Sequence, residues 1–489
     1  SGEGSLRWAI NQANSSSGPD TILFNISTCG GSPCTISLST ALPYLTDART
    51  TIDGYSQPGS SSATCSEGAD LMIEIEGSLL AEDVFNVGLG LASGGNVIKG
   101  LTINRFPSNG IAIATSSATG NVIQGNHIGT NTTGSVDLGN GLSGIFIGQG
   151  AHDNIVGYYC SSPPCEEIPG CFHSERNVIS GNEWEGVGIH GDLTYNNKIY
   201  QNFIGTRAGG DYPLGNTLYG VRIYGGAKNN TVADKNVIAG NLEDGIRLAG
   251  AGTTGNLVEG NNIGTSKSGL LDMGNGAYGV NIMGGARENT VVLNTISGND
   301  DCGVSLCGTG TNANTVSGNI IGTNVYSMDL GNTYDGVYIC EGAQDNLIGG
   351  DSSAERNVIS ANGRGGIYME GEFTEGNTIS GNFIGTNVSG NAALGNGDDG
   401  IIVYGDCQNT IIGGSSPDEK NVIAGNGENG ITLLNPDVAH NTVRGNYIGT
   451  NAAGTAIIPN IANGINVGNG AHDNLLGPGN IIAGSGEHG

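Results

Sequence analysis

The chain has 489 residues, 89 of them glycine, and 45 acidic side chains against 17 basic ones give it a net charge of -28. This excess of negative charge argues against nucleic acid as a partner, because phosphate neutralisation by Lys and Arg dominates that affinity, and against anionic membrane surfaces. No run of about 18 apolar residues is present, so we expect no insertion into a membrane.

The first residues predict a helix that caps the fold. Ser5 is a favourable N-cap residue, and the apolar residues between Leu6 and Ala13 recur with helical spacing on one face. Such a helix would cover the apolar core of the first unit of a repeat array. We therefore expect a cap with the first strands in residues 1–50 and a repeat array, a single continuous domain, in residues 51–489.

Two short phrases recur along the rest of the chain. Gly-[IV]-x-[ILMV] first occurs at Gly110 and returns about every 30 residues, which is the signature of stacked units. Apolar pieces of two or three residues alternate like strands and are separated by Gly and Asn, which tolerate left-handed corners. The sequence predicts an all-β fold, a right-handed parallel β-helix of about 14 coils. The second phrase, Ile-Gly-Thr-Asn or a close variant, starts at Ile128, Ile204, Ile263, Ile321, Ile384 and Ile448.

A third pattern, Asn-x-[IVL], predicts contacts between the coils. If these asparagines stack at one corner, their amides can hydrogen-bond from coil to coil as a ladder, as in cross-β stacks. The asparagines of this pattern are Asn121, Asn177, Asn236, Asn256, Asn314, Asn377, Asn421 and Asn441.

The cysteines predict two disulfides. Cys307 and Cys340 each follow the first glycine of consecutive coils by four residues, and stacked equivalents lie about 4.8 Å apart, within reach of a disulfide. Cys29 and Cys34 bracket a tight turn. Disulfides indicate an extracellular location, either secreted or at the cell surface. Free buried thiols are the alternative, and the sequence leaves open the pairing of Cys65, Cys160, Cys165, Cys171, Cys302 and Cys407.

The segment from Gly4 to Asn11, Gly-Ser-Leu-Arg-Trp-Ala-Ile-Asn, resembles the CSLREAIN signature of a family of bacterial and archaeal surface or secreted β-helix proteins. Gly4 replaces the signature Cys, and Trp8 replaces its Glu. The repeats N-x-I-x-G-N-x-I-G-T-N and L-G-N-G-x-x-G-I are similar to those of the same family. The resemblance implies a β-helix located outside the cell, and it implies no particular activity.

The outward positions of the Gly-[IV]-x-[ILMV] strands carry a strip of aromatic and charged residues. Such a face could hold a polysaccharide, with Arg neutralising a uronate or sulfate and Tyr or Glu serving as acid or base. The alternative is that Tyr is simply common on exposed strands. The candidate site residues are Arg222, Tyr224, Arg247, Tyr338, Tyr368, Glu370 and Tyr404.

Acid pairs stand just before two of these strands. Asp300-Asp301-Cys302 resembles the Asp-Asp-Cys of pectin-degrading glycosidases, and paired carboxylates, as in Asp398-Asp399, could cleave a glycosidic bond. The remaining glycosidase motifs do not follow in order, which favours a recurring turn residue. Acids also stand at this place in other coils: Glu185, Asp244 and Asp335. No cofactor is expected. Ca²⁺ at an acidic turn stays possible, although neither an EF-hand nor a nonapeptide calcium repeat is present.

Two functions remain open. The regular coils favour an extracellular structural or adhesive protein of the cell surface, because an active site normally adds unique loops and only the insertion from Tyr158 to Glu175 is unique. No cap follows Ile482, which predicts head-to-tail self-association into filaments. The alternative is a secreted polysaccharide-acting enzyme, a lyase, epimerase or glycoside hydrolase, that uses the outward strand face.

Overall fold

The computed structural model of the protein describes residues 2–63, 68–158 and 175–489. Cys65, Cys160, Cys165 and Cys171, and with them most of the unique insertion, lie outside the described residues. The part of the chain that the structure describes contains one α-helix, Leu6–Ala13, and two short 3-10 helices, Ser27–Cys29 and Gly54–Ser56. No helix in those ranges has the length and apolar character that a membrane span needs.

The predicted helix is present and is held at its first turn by Ser5, whose side chain accepts a hydrogen bond from the Trp8 N–H. Its buried face consists of Leu6, Ile10 and Ala13, and it packs against the first strand, Asp20–Leu23. The polar face, with Asn11 and its neighbours, is exposed, as expected of an amphipathic cap.

The chain divides into two compact units, Ser1–Glu243 and Asp244–Gly489. In the first unit, each complete coil contributes one strand to each of three parallel sheets. The first sheet contains Asp20–Leu23, Thr50–Asp53, Val97–Lys99, Val122–Gln124, Ile155–Gly157, Lys198–Tyr200 and Thr231–Ala233. The second contains Cys34–Ser37, Ile73–Glu76, Thr102–Asn104, His127–Ile128, Val178–Ile179, Phe203–Ile204 and Val237–Ile238. The third contains Leu89–Leu91, Ile111–Ala114, Ile145–Gly148, Val187–His190 and Val221–Tyr224.

The second unit repeats the same three-sheet plan. Its first sheet contains Leu257–Glu259, Thr290–Val292, Thr315–Ser317, Leu347–Gly349, Thr378–Ser380, Ile411–Gly413, Thr442–Arg444 and Leu475–Leu476. Its second contains Asn262–Ile263, Thr295–Ile296, Ile320–Ile321, Val358–Ile359, Phe383–Ile384, Val422–Ile423, Tyr447–Ile448 and Ile481–Ile482. Its third contains Ile246–Ala249, Val280–Met283, Val304–Cys307, Val337–Cys340, Ile367–Glu370, Ile401–Tyr404, Ile431–Leu434 and Ile465–Gly468. Thr374–Glu375 and Cys407–Gln408 form a further small pair.

The protein is therefore an all-β, right-handed parallel β-helix, as the repeat pattern predicts. The apolar residues of Gly-[IV]-x-[ILMV] point inward and stack on their equivalents: Ile401 aligns with Ile367 on one side and with Ile431 on the other, and it is completely buried. That the array from residue 51 onward behaves as a single continuous domain stays a prediction.

Three rows of buried asparagines join neighbouring coils in each unit. Asn319 is representative: its Nδ2 donates to the Asn357 Oδ1 at 3.1 Å, and its main-chain N–H donates to the same oxygen at 2.9 Å. The Asn319 Nδ2 also donates to the Val291 carbonyl at 2.8 Å. In the second unit the longest rows are Asn261, Asn294, Asn319, Asn357, Asn382, Asn421, Asn446 and Asn480, and Asn275, Asn299, Asn332, Asn362, Asn396, Asn426 and Asn460.

The expectation that the Asn-x-[IVL] residues stack at one corner is wrong, because the phrase precedes strands of both the first and the second sheet. Asn121 and Asn314, for example, belong to the row that precedes the first sheet. Asn177 and Asn421 belong to the row that precedes the second sheet. The third row stands before the third sheet.

Both predicted disulfides are present. Cys307 and Cys340 lie directly opposite each other on adjacent strands of the third sheet with their Cα atoms 4.6 Å apart, and the Cα atoms of Cys29 and Cys34 are 5.5 Å apart. The first of these follows from the coil register, since consecutive coils place equivalent residues side by side.

Replacing a ladder asparagine tests the role of the rows. We expect Asn319→Ala to lower the free energy of unfolding by about 1 to 3 kcal/mol, since buried backbone groups of two coils lose their partner. Chemical denaturation followed by circular dichroism measures this change. Asn391→Ala, at an exposed position, is the control and should change stability by about 0.5 kcal/mol or less. If both substitutions lower the free energy of unfolding equally, the asparagine rows contribute no more to stability than exposed amides do.

The strand register is tested with two adjacent isoleucines. Ile401→Asn should lower the free energy of unfolding by about 3 kcal/mol or more, since it leaves a void and an unpaired amide in the core. Ile402→Asn, whose side chain faces outward, should cost about 1 kcal/mol or less. Urea denaturation of the two variants decides the matter, and the register is wrong if Ile402→Asn is the more damaging.

Candidate functional site

A cavity of about 250 Å³ opens on the outer face of the third sheet in the second unit. It spans four neighbouring coils, whose strands begin after Gly336, Gly366, Gly400 and Gly430. Its walls come from the turns before these strands and from the outward strand positions. The lining residues are Asp335, Arg364, Tyr368, Asp398, Asp399, Ile402, Tyr404, Thr432 and Leu434.

A glycine stands between the two buried acids of this cavity. Asp335 and Asp399 each stand directly before the first glycine of their coil, and the coil between them has Gly365 at the same place. A Cβ at Gly365 would lie 2.9 Å from the Asp335 Oδ1 and 3.5 Å from the Asp399 carbonyl oxygen. The absence of a side chain at Gly365 therefore lets the Asp335 carboxylate approach the main chain there and accept the Gly365 N–H.

Asp335 is the most perturbed carboxyl group of the cavity. It is 5% exposed, and its Oδ1 accepts a hydrogen bond from the Gly365 N–H at 2.8 Å. Burial raises the pKa of the Asp335 carboxyl to about 6, and the Gly365 N–H and the Arg364 guanidinium limit the rise. The Cys302 thiol lies 3.9 Å from the Asp335 Oδ2. A carboxyl group in this state can hold a proton in mildly acidic solution, as a general acid must.

A second carboxyl group lies in the same cavity under similar conditions. Asp399 is 5% exposed, and its Oδ1 accepts a hydrogen bond from the Asn429 N–H at 2.6 Å. Burial raises the pKa of the Asp399 carboxyl, and the bonds from Asn429 oppose this rise. Asp398, its neighbour in the chain, is half-buried. The cavity therefore contains the paired carboxyl groups that acid and base chemistry requires.

Two tyrosines and a glutamate form a hydrogen-bonded group beside the cavity. The Tyr338 hydroxyl donates to the Glu370 Oε1 at 2.5 Å, and the Tyr368 hydroxyl donates to the Glu370 Oε2 at 2.9 Å. The two rings are stacked with their centroids 5.8 Å apart. Burial, and then donation to Glu370, raises the pKa of both hydroxyls. These tyrosines therefore retain their protons and offer ring faces and hydrogen-bond donors.

The structure separates the residues predicted from the sequence into groups. Tyr368 and Tyr404 line the cavity, and Tyr338 and Glu370 adjoin it. Arg247 is outside the cavity lining; its Nε donates to the Asp244 carboxylate at 2.5 Å.

Arg222 and Tyr224 belong to the first unit, where they form a cluster of their own. The Arg222 guanidinium lies over the Tyr224 ring at 4.0 Å, and the His190 ring is 4.5 Å from the same ring. Glu185 in this cluster is completely buried and accepts a hydrogen bond from the Ser143 hydroxyl at 3.1 Å. Burial raises the pKa of Glu185, and the Ser143 hydroxyl and Arg222 oppose the rise.

Sequence reasoning names three of the four charged residues of the cavity but assigns them the less favoured role. The repeat pattern favours plain turn residues at Asp335, Asp398 and Asp399, and it does not single out Arg364. One sequence signal points to these residues. The position directly before the first glycine of the coil is Gly365 in one coil, whereas the two neighbouring coils have an acidic residue at that position. Among the described residues, no group of three or more His, Cys, Asp or Glu is arranged to hold a metal ion, and the possible Ca²⁺ site stays a prediction.

Comparison with known proteins agrees with the fold. A family model described as right handed beta helix region matches residues 214–393. The chain is similar to the A-module of mannuronan C-5 epimerase AlgE6 from Azotobacter vinelandii, with 13% identity, 99% of this chain and 94% of that chain covered, and a TM-score of 0.40. It is similar to the Dettilon tailspike protein, with 14% identity, 86% and 62% covered, and a TM-score of 0.44.

A third solved structure is the catalytic unit of a GH87 alpha-1,3-glucanase from Streptomyces thermodiastaticus, with 12% identity, 98% of this chain and 66% of that chain covered, and a TM-score of 0.33. No curated protein sequence matches the chain. These similarities concern the fold alone.

The raised pKa of Asp335 predicts a pH-dependent change in stability. The folded state binds this proton more tightly than the unfolded chain, whose Asp titrates near about 3.9. The associated stability is therefore present below about pH 4 and is lost as the pH rises through about 6. Relative to wild type, we expect Asp335→Asn to gain about 2 to 3 kcal/mol between pH 4 and pH 7.

Urea denaturation at both pH values measures this difference. Asp300→Asn, which removes an exposed carboxyl group, is the control and should show little pH-dependent gain. If Asp335→Asn differs from wild type by the same amount at pH 4 and pH 7, the Asp335 carboxyl is not perturbed.

Proposed function

We propose that the protein is an extracellular glycan-cleaving enzyme that hydrolyses glycosidic bonds at the cavity in its second unit. The observation that carries the proposal is Asp335, a buried carboxyl group with a pKa of about 6 that shares a cavity with two further carboxyl groups. A pair of carboxyl groups in different protonation states is what glycosidic hydrolysis requires.

The reaction assigns one role to each carboxyl group. Asp335 gives its proton to the glycosidic oxygen while the bond from the anomeric carbon to that oxygen breaks. Asp398 or Asp399, as the carboxylate, takes a proton from the water whose oxygen bonds to the anomeric carbon. In the alternative route this carboxylate bonds to the anomeric carbon itself, and a water that gives its proton to Asp335 then displaces it and releases the sugar. Tyr368 and Tyr404 offer ring faces for the sugar at the cavity wall.

Hydrolysis is favoured over elimination or epimerisation, because those reactions need a base that abstracts a carbon-bound proton. Tyr338 and Tyr368, which the sequence offers as candidate acids or bases in this region, hold their protons more tightly than an ordinary tyrosine does. They are therefore poor bases at neutral pH. The two disulfides support a location outside the cell.

The test is to incubate the protein with a panel of neutral, anionic and cationic polysaccharides and to measure hydrolysis as the appearance of new reducing ends. We expect Asp335→Asn to lower kcat at least about 100-fold, as loss of a general acid does. Activity should also fall as the pH rises above about 6, because Asp335 then loses its proton. Glu185→Gln is the matched control: Glu185 is buried and stands at the same place in its coil, but in the first unit.

Two results would count against the proposal. If Glu185→Gln lowers kcat as strongly as Asp335→Asn, the site has been placed wrongly. If no glycan of the panel is cleaved by the wild-type protein, the proposed activity fails.

A second candidate is the structural or adhesive protein that assembles head-to-tail, and the regular coils of both units support it. Light scattering over a concentration series tests self-association: the wild-type protein should form larger species as its concentration rises. A monomer at every concentration would contradict this candidate.

A further inference from the structure

The charge balance of the cavity restricts what it can bind. Asp335, Asp398 and Asp399 line it together with a single cation, Arg364. Arg364 lies over the Tyr334 ring at 5.3 Å, and its charge acts on Asp335. The cavity lining thus contains one guanidinium group and three carboxyl groups.

The surroundings add negative charge and no further cation in the lining. Asp301 acts on Asp335, and Glu428 acts on Asp399, in both cases by repulsion that favours proton binding. Even with Asp335 protonated, Asp398 and Asp399 outnumber Arg364. A uronate or a sulfated sugar would bring a further negative charge into this site, where partial burial weakens solvent screening.

A buried hydroxyl in the lining has no partner. Thr432 is 2% exposed, and its Oγ1 has no hydrogen-bond partner among the described residues. The Thr432 hydroxyl acts on the Asp399 carboxyl and lowers its pKa, so it lies beside that carboxyl group. A buried polar atom left unpaired costs free energy, and a ligand that donates to it would remove that cost. The carboxylates that line the cavity beside Thr432 are hydrogen-bond acceptors as well, so a ligand with several hydrogen-bond donors suits them.

We propose that the cavity recognises a cationic amino sugar, a hexosamine unit with a free amine, in preference to neutral or anionic sugars. An ammonium group has three donors and no acceptor, which fits a lining of carboxylates and an unpaired hydroxyl. The inference rests on the proposed function for the idea that the ligand is a glycan. The sequence alone leads us to expect a uronate or a sulfated sugar. The inferred ligand differs because the carboxyl groups in the cavity outnumber its one cation, Arg364.

Binding is measured by calorimetry on the full chain, separately from turnover. The ligands are oligomers of glucosamine, N-acetylglucosamine and a hexuronate, all of the same length, and tri-lysine as a cationic probe without a sugar. We expect glucosamine oligomers to bind at least about tenfold more tightly than the N-acetylated ones, as one charge-assisted hydrogen bond provides. Hexuronate oligomers should bind most weakly.

Removal of single charges within the site provides the matched variants. Asp398→Asn should remove most of the preference for glucosamine oligomers, and Arg364→Gln should retain it. Asp300→Asn removes the same charge outside the cavity lining and should leave the preference unchanged. This control matters, because a chain with a net charge of -28 attracts any cation.

The outcomes separate the inference from the proposed function. The inference is overturned if tri-lysine binds as tightly as the glucosamine oligomer, if Asp300→Asn acts like Asp398→Asn, or if N-acetylated or uronate oligomers bind as well. Cleavage of a neutral or anionic glycan without any preference in binding leaves the proposed function standing and overturns the inference. A preference for glucosamine without cleavage supports the inference, and it is then the hydrolase proposal that fails.

Discussion

The coil-to-coil hydrogen bonds of the buried asparagines are the constraint on which the other features of each unit depend. In each row an amide oxygen accepts both a side-chain and a main-chain N–H from the neighbouring coil, as Asn357 does from Asn319. An asparagine at such a corner provides hydrogen-bond partners both for its own amide group and for the main-chain groups of the turn. It therefore allows a buried polar corner at little cost, and it fixes which residue of one coil lies beside which residue of the next.

That fixed register turns sequence position into spatial position. Cys307 lies opposite Cys340 because both stand at the same place in their coils, and Tyr338 lies opposite Tyr368 for the same reason. The cavity follows the same logic with one difference. Asp335 and Asp399 are two coils apart, and the intervening position is Gly365, whose N–H donates to the Asp335 carboxylate.

The fold could be predicted from sequence because its causes are local and repeated. The repeat alone is enough to interpret the strand period, the glycine corners and the spacing of Cys307 and Cys340. The asparagine corners could be predicted in kind but not in place, because the phrase Asn-x-[IVL] precedes two different sheets. The cavity could not be predicted in this way, since its properties depend on what lies next to each acid. Asp244 has the same sequence position as Asp335, yet its carboxylate accepts hydrogen bonds from Arg247 and Asn281.

The surroundings of the buried acids differ between coils that share one repeat pattern. Glu185, Asp244 and Asp335 are all buried acids whose pKa is raised, first of all by burial. The Glu185 Oε1 accepts a hydrogen bond from Ser143 while its Oε2 has no hydrogen-bond partner among the described residues, and Asp244 has the Arg247 cation beside it. Asp335 accepts a hydrogen bond from the Gly365 N–H, has the Cys302 thiol 3.9 Å from its Oδ2, and lines a cavity. A carboxyl group held in that state reduces the stability of the fold above its pKa, and proteins retain such groups where chemistry uses them. Of these three acids, Asp335 is the one that lines the cavity beside further carboxyl groups, which is why the proposed function is placed there.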